Sequence, residues 1–413
     1  MAITLACEKC GTPATVPDKK LGQTGRCAGC GHLMIIRPAG ARPAGAVAGP
    51  GPLAPPAATF RWRRVGSVAF VVLVVLGGVG RGLKALRQGW APGRPAVDRA
   101  GPDPKQQAAA IRRVAAGYAT GPIELPRLPD LGPGREIEPG VMFHEVVLGP
   151  PDAPLGGPPG LDGKLWIYLP AGEHPGRSLP CILNAPAGTT LMTGNALGDA
   201  DADAVHPERI PYVKAGFAVV AFELDGHLAD ETPGDREMGE AMIRFLTARA
   251  GLVNAHVALE YALGKLPMVD PARITAAGHS SAGTLAVLFA EREPRLRSAV
   301  AFAPALDLEK RFGPEAVAQL KATGVGDLAV RYSPRNDVDT LRCPLFLFHA
   351  RDDTNVDVGE SEAFAADLKA RGKAVTLEVV AEGNHYQSMI REGIPRAIAW
   401  LRGKPAAEAV PEP

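Results

Sequence analysis

Ile274-Thr275-Ala276-Ala277-Gly278-His279-Ser280-Ser281-Ala282-Gly283-Thr284-Leu285-Ala286 passes from a strand pattern into a helix pattern through a serine. Ile274–Gly278 is a short apolar run of the kind a buried strand uses, and Ala282–Glu291 continues with helix-forming residues. A strand that turns directly into a helix around Ser280 leaves little room for side chains two positions to either side, so such a turn is written G-x-S-x-G. Gly278 stands two before Ser280, Ala282 two after, and Gly283 follows. Were Ser281 the nucleophile, the residue two before it would be the bulky His279, so the turn favours Ser280. A serine in an ordinary strand–helix turn would predict nothing further along the chain.

The chain does carry partners further along. Leu345-Phe346-Leu347-Phe348-His349 reads as a buried strand, and it ends in a loop with two carboxylates, Asp352 and Asp353. A carboxylate beyond the strand's end is where a histidine ring can be oriented and its cationic form stabilised. After one more strand comes Gly383-Asn384-His385-Tyr386, opening the last helical stretch. His385 there can act as general base toward Ser280. The other body histidines, His144, His174, His206, His227, His256, His279 and His349, have no comparable context.

From about residue 140 strands alternate with helices, the pattern of a mostly parallel sheet covered on both faces. Eight strands are expected: Met142–Leu148, Lys164–Leu169, Leu179–Ala185, Phe217–Phe222, Ile274–Gly278, Ser298–Phe302, Pro344–His349 and Val375–Val380. Helices are expected over Val205–Ala215, Met238–Leu263, Ala282–Glu291, Leu306–Ala322, Glu360–Ala370 and Tyr386–Leu401. With the serine turn, this arrangement resembles the α/β-hydrolases, whose triad runs Ser, then Asp or Glu, then His. The resemblance is to their dienelactone hydrolase, acetyl-xylan esterase and prolyl-oligopeptidase-like branch. It rests on the Gly278–Gly283 elbow, on Tyr332-Ser333-Pro334 with Cys343-Pro344, and on Asn384-His385. The family's H-G-x-x-D-x-x-V pattern falls on His349, Ala350, Asp353 and Val356, with Ala in place of Gly. The resemblance implies Asp353 rather than Asp352 as triad acid, leaving Asp352 as a solvated or turn-capping carboxylate. It covers residues 135–403 and implies an eight-stranded α/β-hydrolase fold with Ser280, Asp353 and His385 catalytic.

An oxyanion hole needs two backbone N–H donors. One is expected from Ser281, and the second from the loop after Leu179–Ala185. There Pro186-Ala187-Gly188 replaces the common His-Gly; Pro186 has no N–H, so Ala187 or Gly188 would donate. Only about 40 residues, Ala303–Leu341, lie between the sixth and seventh strands, enough for a small lid. An open pocket favours a modest or polymer-borne ester, cleaved through an acyl-enzyme with no cofactor. A serine peptidase of the prolyl-oligopeptidase-like type shares the same triad and stays open. A non-catalytic hydrolase-like binding protein is a reading from another class.

The 413 residues carry a net charge of +1, which hides a split: residues 1–100 hold 14 Lys/Arg against 3 Asp/Glu, and the rest 31 against 41. A basic leader is thus joined to an acidic body. Its first part, residues 1–37, reads as a zinc ribbon. Cys7 and Cys10 form one C-x-x-C pair and Cys27 and Cys30 a second, a set that can hold one structural Zn2+ tetrahedrally. Val16-Pro17-Asp18-Lys19-Lys20-Leu21-Gly22 between the pairs resembles the short ribbons that open many planctomycete and myxobacterial membrane proteins. Residues 38–60 are an Ala/Pro/Gly-rich linker. Arg61-Trp62-Arg63-Arg64 then precedes an uncharged run over 65–80, followed by Arg81 and Lys84, so that 61–84 reads as a short transmembrane helix with basic flanks. Residues 85–134 read as a stalk, with a helical patch at Lys105–Ala119, and 404–413 as a disordered tail. Zinc-ligating thiolates are best kept in a reducing compartment. That places the N-terminus in the cytoplasm and the hydrolase outside. The flanking arginines explain the basic leader without nucleic acid, and a protein partner for the ribbon is compatible with its size.

Overall fold

A computed structural model describes residues 2–6, 13–17, 24–26, 33–35, 128–149, 160, 163–189, 191–201, 206–228, 234–322 and 331–403. In the N-terminal unit, residues 1–62, β1 (Ala2–Ala6) pairs antiparallel with β2 (Pro13–Pro17), and β3 (Thr24–Arg26) with β4 (Leu33–Ile35). Cys7, Cys10, Cys27 and Cys30 lie outside the described residues, as do the 65–80 run, the 38–60 linker, the Lys105–Ala119 patch and the 404–413 tail. Among the described residues, no helix is long and apolar enough to cross a membrane, and no group of three or more His, Cys, Asp or Glu could hold a metal ion.

The body is built on one nine-stranded sheet. Its strands are β5 (Arg135–Glu138), β6 (Val141–Gly149), β7 (Gly163–Pro170), β8 (Leu179–Asn184), β9 (Ala218–Phe222), β10 (Val269–His279), β11 (Ser298–Phe302), β12 (Leu345–Ala350) and β13 (Val375–Val380). The spatial order is β13-β12-β11-β10-β8-β9-β7-β6-β5. From β9 through β13 every pairing is parallel; β5, β6 and β7 complete the other edge antiparallel. The expected count of eight is corrected to nine. The added strand, β5, is four largely exposed residues at the sheet edge, without the apolar run that marks the others.

The central strands are apolar at successive positions because both faces are covered. Alternate side chains of one strand therefore enter different cores. Leu345 and Leu347 of β12 face one hydrophobic cluster, and Phe346 and Phe348 the other. Leu165, Ile167 and Leu169 of β7 divide from Trp166 and Tyr168 in the same way.

Several expected helices are cut where the backbone changes hand. The first is only α1 (Ile210–Lys214), with Pro211 in its opening turn. The long Met238–Leu263 helix is two, α2 (Asp235–Thr247) and α3 (Leu252–Lys265). Arg249, Ala250 and Gly251 between them have φ of 53°, 55° and 89°, which no right-handed helix accommodates. The helix after Ser280 is α4 (Ser281–Arg292). Gly313 at φ 83° separates α5 (Leu308–Phe312) from α6 (Pro314–Ala322). α7 spans Val358–Ala370, and the final helix starts as a π turn, Met389–Gly393, before α8 (Ile394–Leu401).

Candidate active site

Ser280 stands between β10 and α4 with φ 53° and ψ −121°, a conformation that an L-residue adopts only when its surroundings hold it there. Ser280 N–H donates to the Phe302 carbonyl at 2.8 Å, tying the turn to the neighbouring strand. The sharpness of the turn explains its glycines. A Cβ on Gly278 would lie 2.3 Å from the backbone C and O of Ala282, and one on Gly283 3.0 Å from Gly278 O and 3.2 Å from Phe302 O. Ala282, where the motif has its second Gly, is buried and tolerated, because the tight approach is made to its backbone rather than by its methyl group.

Asp353 follows β12 on the adjoining loop. Its Oδ2 accepts from His385 Nδ1 at 2.7 Å, while Oδ1 accepts the N–H groups of Asn355 (2.8 Å) and Val356 (3.0 Å). The carboxylate itself is fully buried. Burial pushes the carboxyl up, but hydrogen bonds from His349, His385 and the Val356 N–H outweigh it and hold Asp353 well below the usual carboxylate range. With Nδ1–H donating to Asp353, the Nε2 lone pair of neutral His385 is free to take a proton. Among the described residues no hydrogen bond joins Ser280 Oγ to that ring. The ring is brought to the elbow instead by its neighbour, His279, whose ring centroid lies 4.5 Å away.

The loop expected to supply the second oxyanion donor is tied to the elbow. Ser281 N–H is at the open first turn of α4, where helical N–H groups lack intrahelical partners. Thr189 N–H donates to Ser281 Oγ at 3.2 Å, which draws the Pro186–Thr189 loop onto the elbow. The Thr189 donor is thereby occupied. Ala187 is fixed through its carbonyl by Asn195 Nδ2 at 2.5 Å, and Gly188 takes φ 96°.

Three residues outside the expected triad touch this machinery: His349, on which the family pattern falls; Asp352, expected as a solvated or turn-capping carboxylate; and His279, given no role. His349 is wholly buried; its Nε2–H is shared between Val356 O (3.1 Å) and Asp353 Oδ2 (3.2 Å), and its Nδ1 accepts from Ser361 Oγ (2.8 Å). Asp352 accepts from the N–H of Gly383 at 3.0 Å and of Asn384 at 2.8 Å. His279 Nε2–H donates to the His385 carbonyl at 2.7 Å. The available signals were His349 four residues before Asp353 and two acids side by side, both of which only the folded loop resolves. A cavity of about 620 Å³, lined by Arg273, Arg297, Arg402 and Trp400 among others, also adjoins Ser178, Ser298 and Pro344 at the amino ends of the strands. That is the end of the sheet opposite Ser280.

A serine at a strained strand–helix turn, an acid after β12 and a histidine after β13 stand together beyond the carboxyl ends of a mostly parallel sheet. The body has the α/β-hydrolase fold. Residues 231–404 of the chain match the model of the prolyl oligopeptidase family, a span of less than half the chain that includes all three residues. No curated protein matches the sequence. Among solved structures the chain is similar to an acetyl xylan esterase from Paenibacillus sp. R4, at 16% identity over 73% of this chain and 94% of that one, TM-score 0.49. It is also similar to an acylaminoacyl peptidase in complex with Z-Gly-Gly-Phe-chloromethyl ketone, at 16% identity over 60% of this chain, TM-score 0.45. A thermophilic esterase of the Planctomycetes species Thermogutta terrifontis is 21% identical over 55% of this chain and 80% of its own, TM-score 0.40. The chain spans 40% of the length of the acylaminoacyl peptidase.

Proposed function

We propose that the protein is a serine hydrolase that cleaves carboxylic esters through an acyl-enzyme. The observation that carries the reading is the 2.7 Å bond from His385 Nδ1 to the buried Asp353, on a ring set against the residue preceding a strained Ser280. Ser280 Oγ attacks the substrate carbonyl as His385 Nε2 takes its proton. The developing oxyanion is met by the N–H of Ser281 and that of Ala187 or Gly188. His385 then protonates the leaving alcohol, and a water activated by the same ring releases the acid.

Preference for esters is supported by the segment between β11 and β12. Its described part is tied down: Leu308 and Val317 are buried in the main core, and Leu308 N–H donates to Ser333 Oγ at 2.9 Å. These described residues pack into the body, which supports a pocket open to esters of modest size. The match of residues 231–404 to a peptidase family favours a second reading, a serine peptidase with the same triad. In the proposed arrangement residues 65–80 anchor the protein in a membrane with the hydrolase outside the cytoplasm. Cys7, Cys10, Cys27 and Cys30 hold a structural Zn2+.

Fluorophosphonate labelling of the purified protein beside Ser280→Ala tests the reading. Turnover of short p-nitrophenyl esters and of peptidyl p-nitroanilides is measured in parallel. Labelling and ester turnover that vanish in the variant are expected. A folded wild-type chain that takes no label overturns the serine hydrolase, and anilide turnover exceeding ester turnover replaces the esterase with the peptidase.

A further inference from the structure

His385 rides on a loop that is internally rigid. Ser388 N–H donates to Gly383 O at 2.7 Å, Ser388 Oγ donates to Asn384 O at 2.7 Å, and Asn384 Oδ1 accepts from the N–H of Tyr386 and Gln387. The loop carries two successive left-handed residues, Gly383 at φ 127° and Asn384 at φ 54°. A unit of this kind moves as a body, so the place of the imidazole depends on what ties the unit to the rest of the protein.

Those ties are few and come from telling places. Asp352, the chain neighbour of the triad acid, takes the N–H of Gly383 and of Asn384 on its two carboxylate oxygens. His279, the chain neighbour of the nucleophile, gives its Nε2–H to the His385 carbonyl, and its ring also meets that of Tyr386 at 5.6 Å. We infer that His279 and Asp352 are positioning residues for the reaction, a two-sided backbone brace that sets the distance between His385 and Ser280. Asp353 can orient the ring but cannot fix how far the ring stands from the elbow; a bond from residue 279 to residue 385 does so directly. Bonds to a carboxylate are among the stronger hydrogen bonds. They suit a brace that must hold an unfavourable backbone.

This inference deepens the serine hydrolase reading and rests on it for its kinetic consequences. The test uses the full chain with His279→Leu, His279→Gln, His279→Asn, Asp352→Ala and Asp352→Asn. Gln places an N–H donor at the reach of Nε2, whereas Asn places it short. A misplacement near 1 Å costs about 100-fold in rate. His279→Leu, His279→Asn and Asp352→Ala should therefore lose about 10- to 100-fold in kcat on p-nitrophenyl acetate while KM stays within about 3-fold. His279→Gln should recover most of the rate, and Asp352→Asn part of it.

Hydrogen–deuterium exchange over residues 381–388 reads the brace without turnover: protection should be lost in His279→Leu and Asp352→Ala and kept in His279→Gln. Should His279→Leu fail to fold, the Gln and Asn pair decides alone. Wild-type kcat in Asp352→Ala, or His279→Gln no better than His279→Asn, overturns the inference while the Ser280→Ala result still supports the hydrolase. Unchanged exchange in the folded variants overturns the brace even if the wild type proves inactive.

Discussion

His279 is buried beside the His385 ring, and that burial, with the nearby His385, lowers its pKa to about 4. An unfolded histidine titrates near pH 6.5. Between these values the unfolded chain binds a proton that the folded chain refuses, so stability falls as pH falls, by up to about 1.4 kcal/mol per pH unit. His279→Gln keeps the donor and removes the titration. Its thermal midpoint is expected to drop less than the wild type's between about pH 6.5 and pH 4; parallel curves would show that His279 contributes nothing to acid lability. At this scale the sequence was legible where chemistry dictates residue type. Gly278, Ser280 and the Ser–Asp–His order follow from a tight turn and a proton relay. The partners of His279, Asp352 and His349 were not legible, because they are a backbone carbonyl, two backbone N–H groups and a carboxylate brought close only by folding; that Asp352 caps a turn was expected, but not which turn.

Among elements, most strands were read within a residue or so of their bounds because apolar runs between two helical layers have one place to go; β10 starts five residues earlier than expected, where Asp270–Arg273 carries no apolar run, and β5 was missed. The helices were misread where a left-handed residue interrupts a run of helix-forming composition. The α2–α3 junction is the clearest case: Ala248–Gly251 has helix-forming composition, yet Arg249 and Ala250 are left-handed and Gly251 follows at φ 89°. A Cβ on Gly251 would meet Leu224 Cδ2 at 2.9 Å and Leu285 Cδ2 at 3.0 Å, so packing against the floor of the sheet decides the break. Gly372, after α7, has φ 69° and open space around its Cα. Gly372→Ala should cost only the left-handed backbone, about 1 kcal/mol. Gly251→Ala adds a clash in the core and should cost about 2–3 kcal/mol. Urea midpoints check the order, and a Gly251→Ala midpoint above that of Gly372→Ala would mean that the junction is not set by this contact.

Across the whole molecule, charge divides the chain into a basic first hundred residues and an acidic remainder. Two forces could hold such a chain at a membrane, and they respond to salt differently. If the arginines act alone on anionic lipid, binding is screened within a Debye length and is lost in high salt. If residues 65–80 insert, the run forms a helix of about 24 Å against a hydrocarbon core of about 30 Å, and the arginines and Trp62 at its ends snorkel to span the rest. Insertion is indifferent to salt. The full chain is therefore expected to stay with the membrane fraction through molar salt and alkaline carbonate and to leave only with detergent. A chain lacking residues 1–84 should wash free and keep its fluorophosphonate labelling. Release of the full chain by salt alone would replace the anchor with electrostatic attachment. Protease added to intact cells then fixes orientation: cleavage of the labelled body puts Ser280 outside, and complete protection would place hydrolase and thiolates in the same compartment, removing the redox argument for the proposed topology.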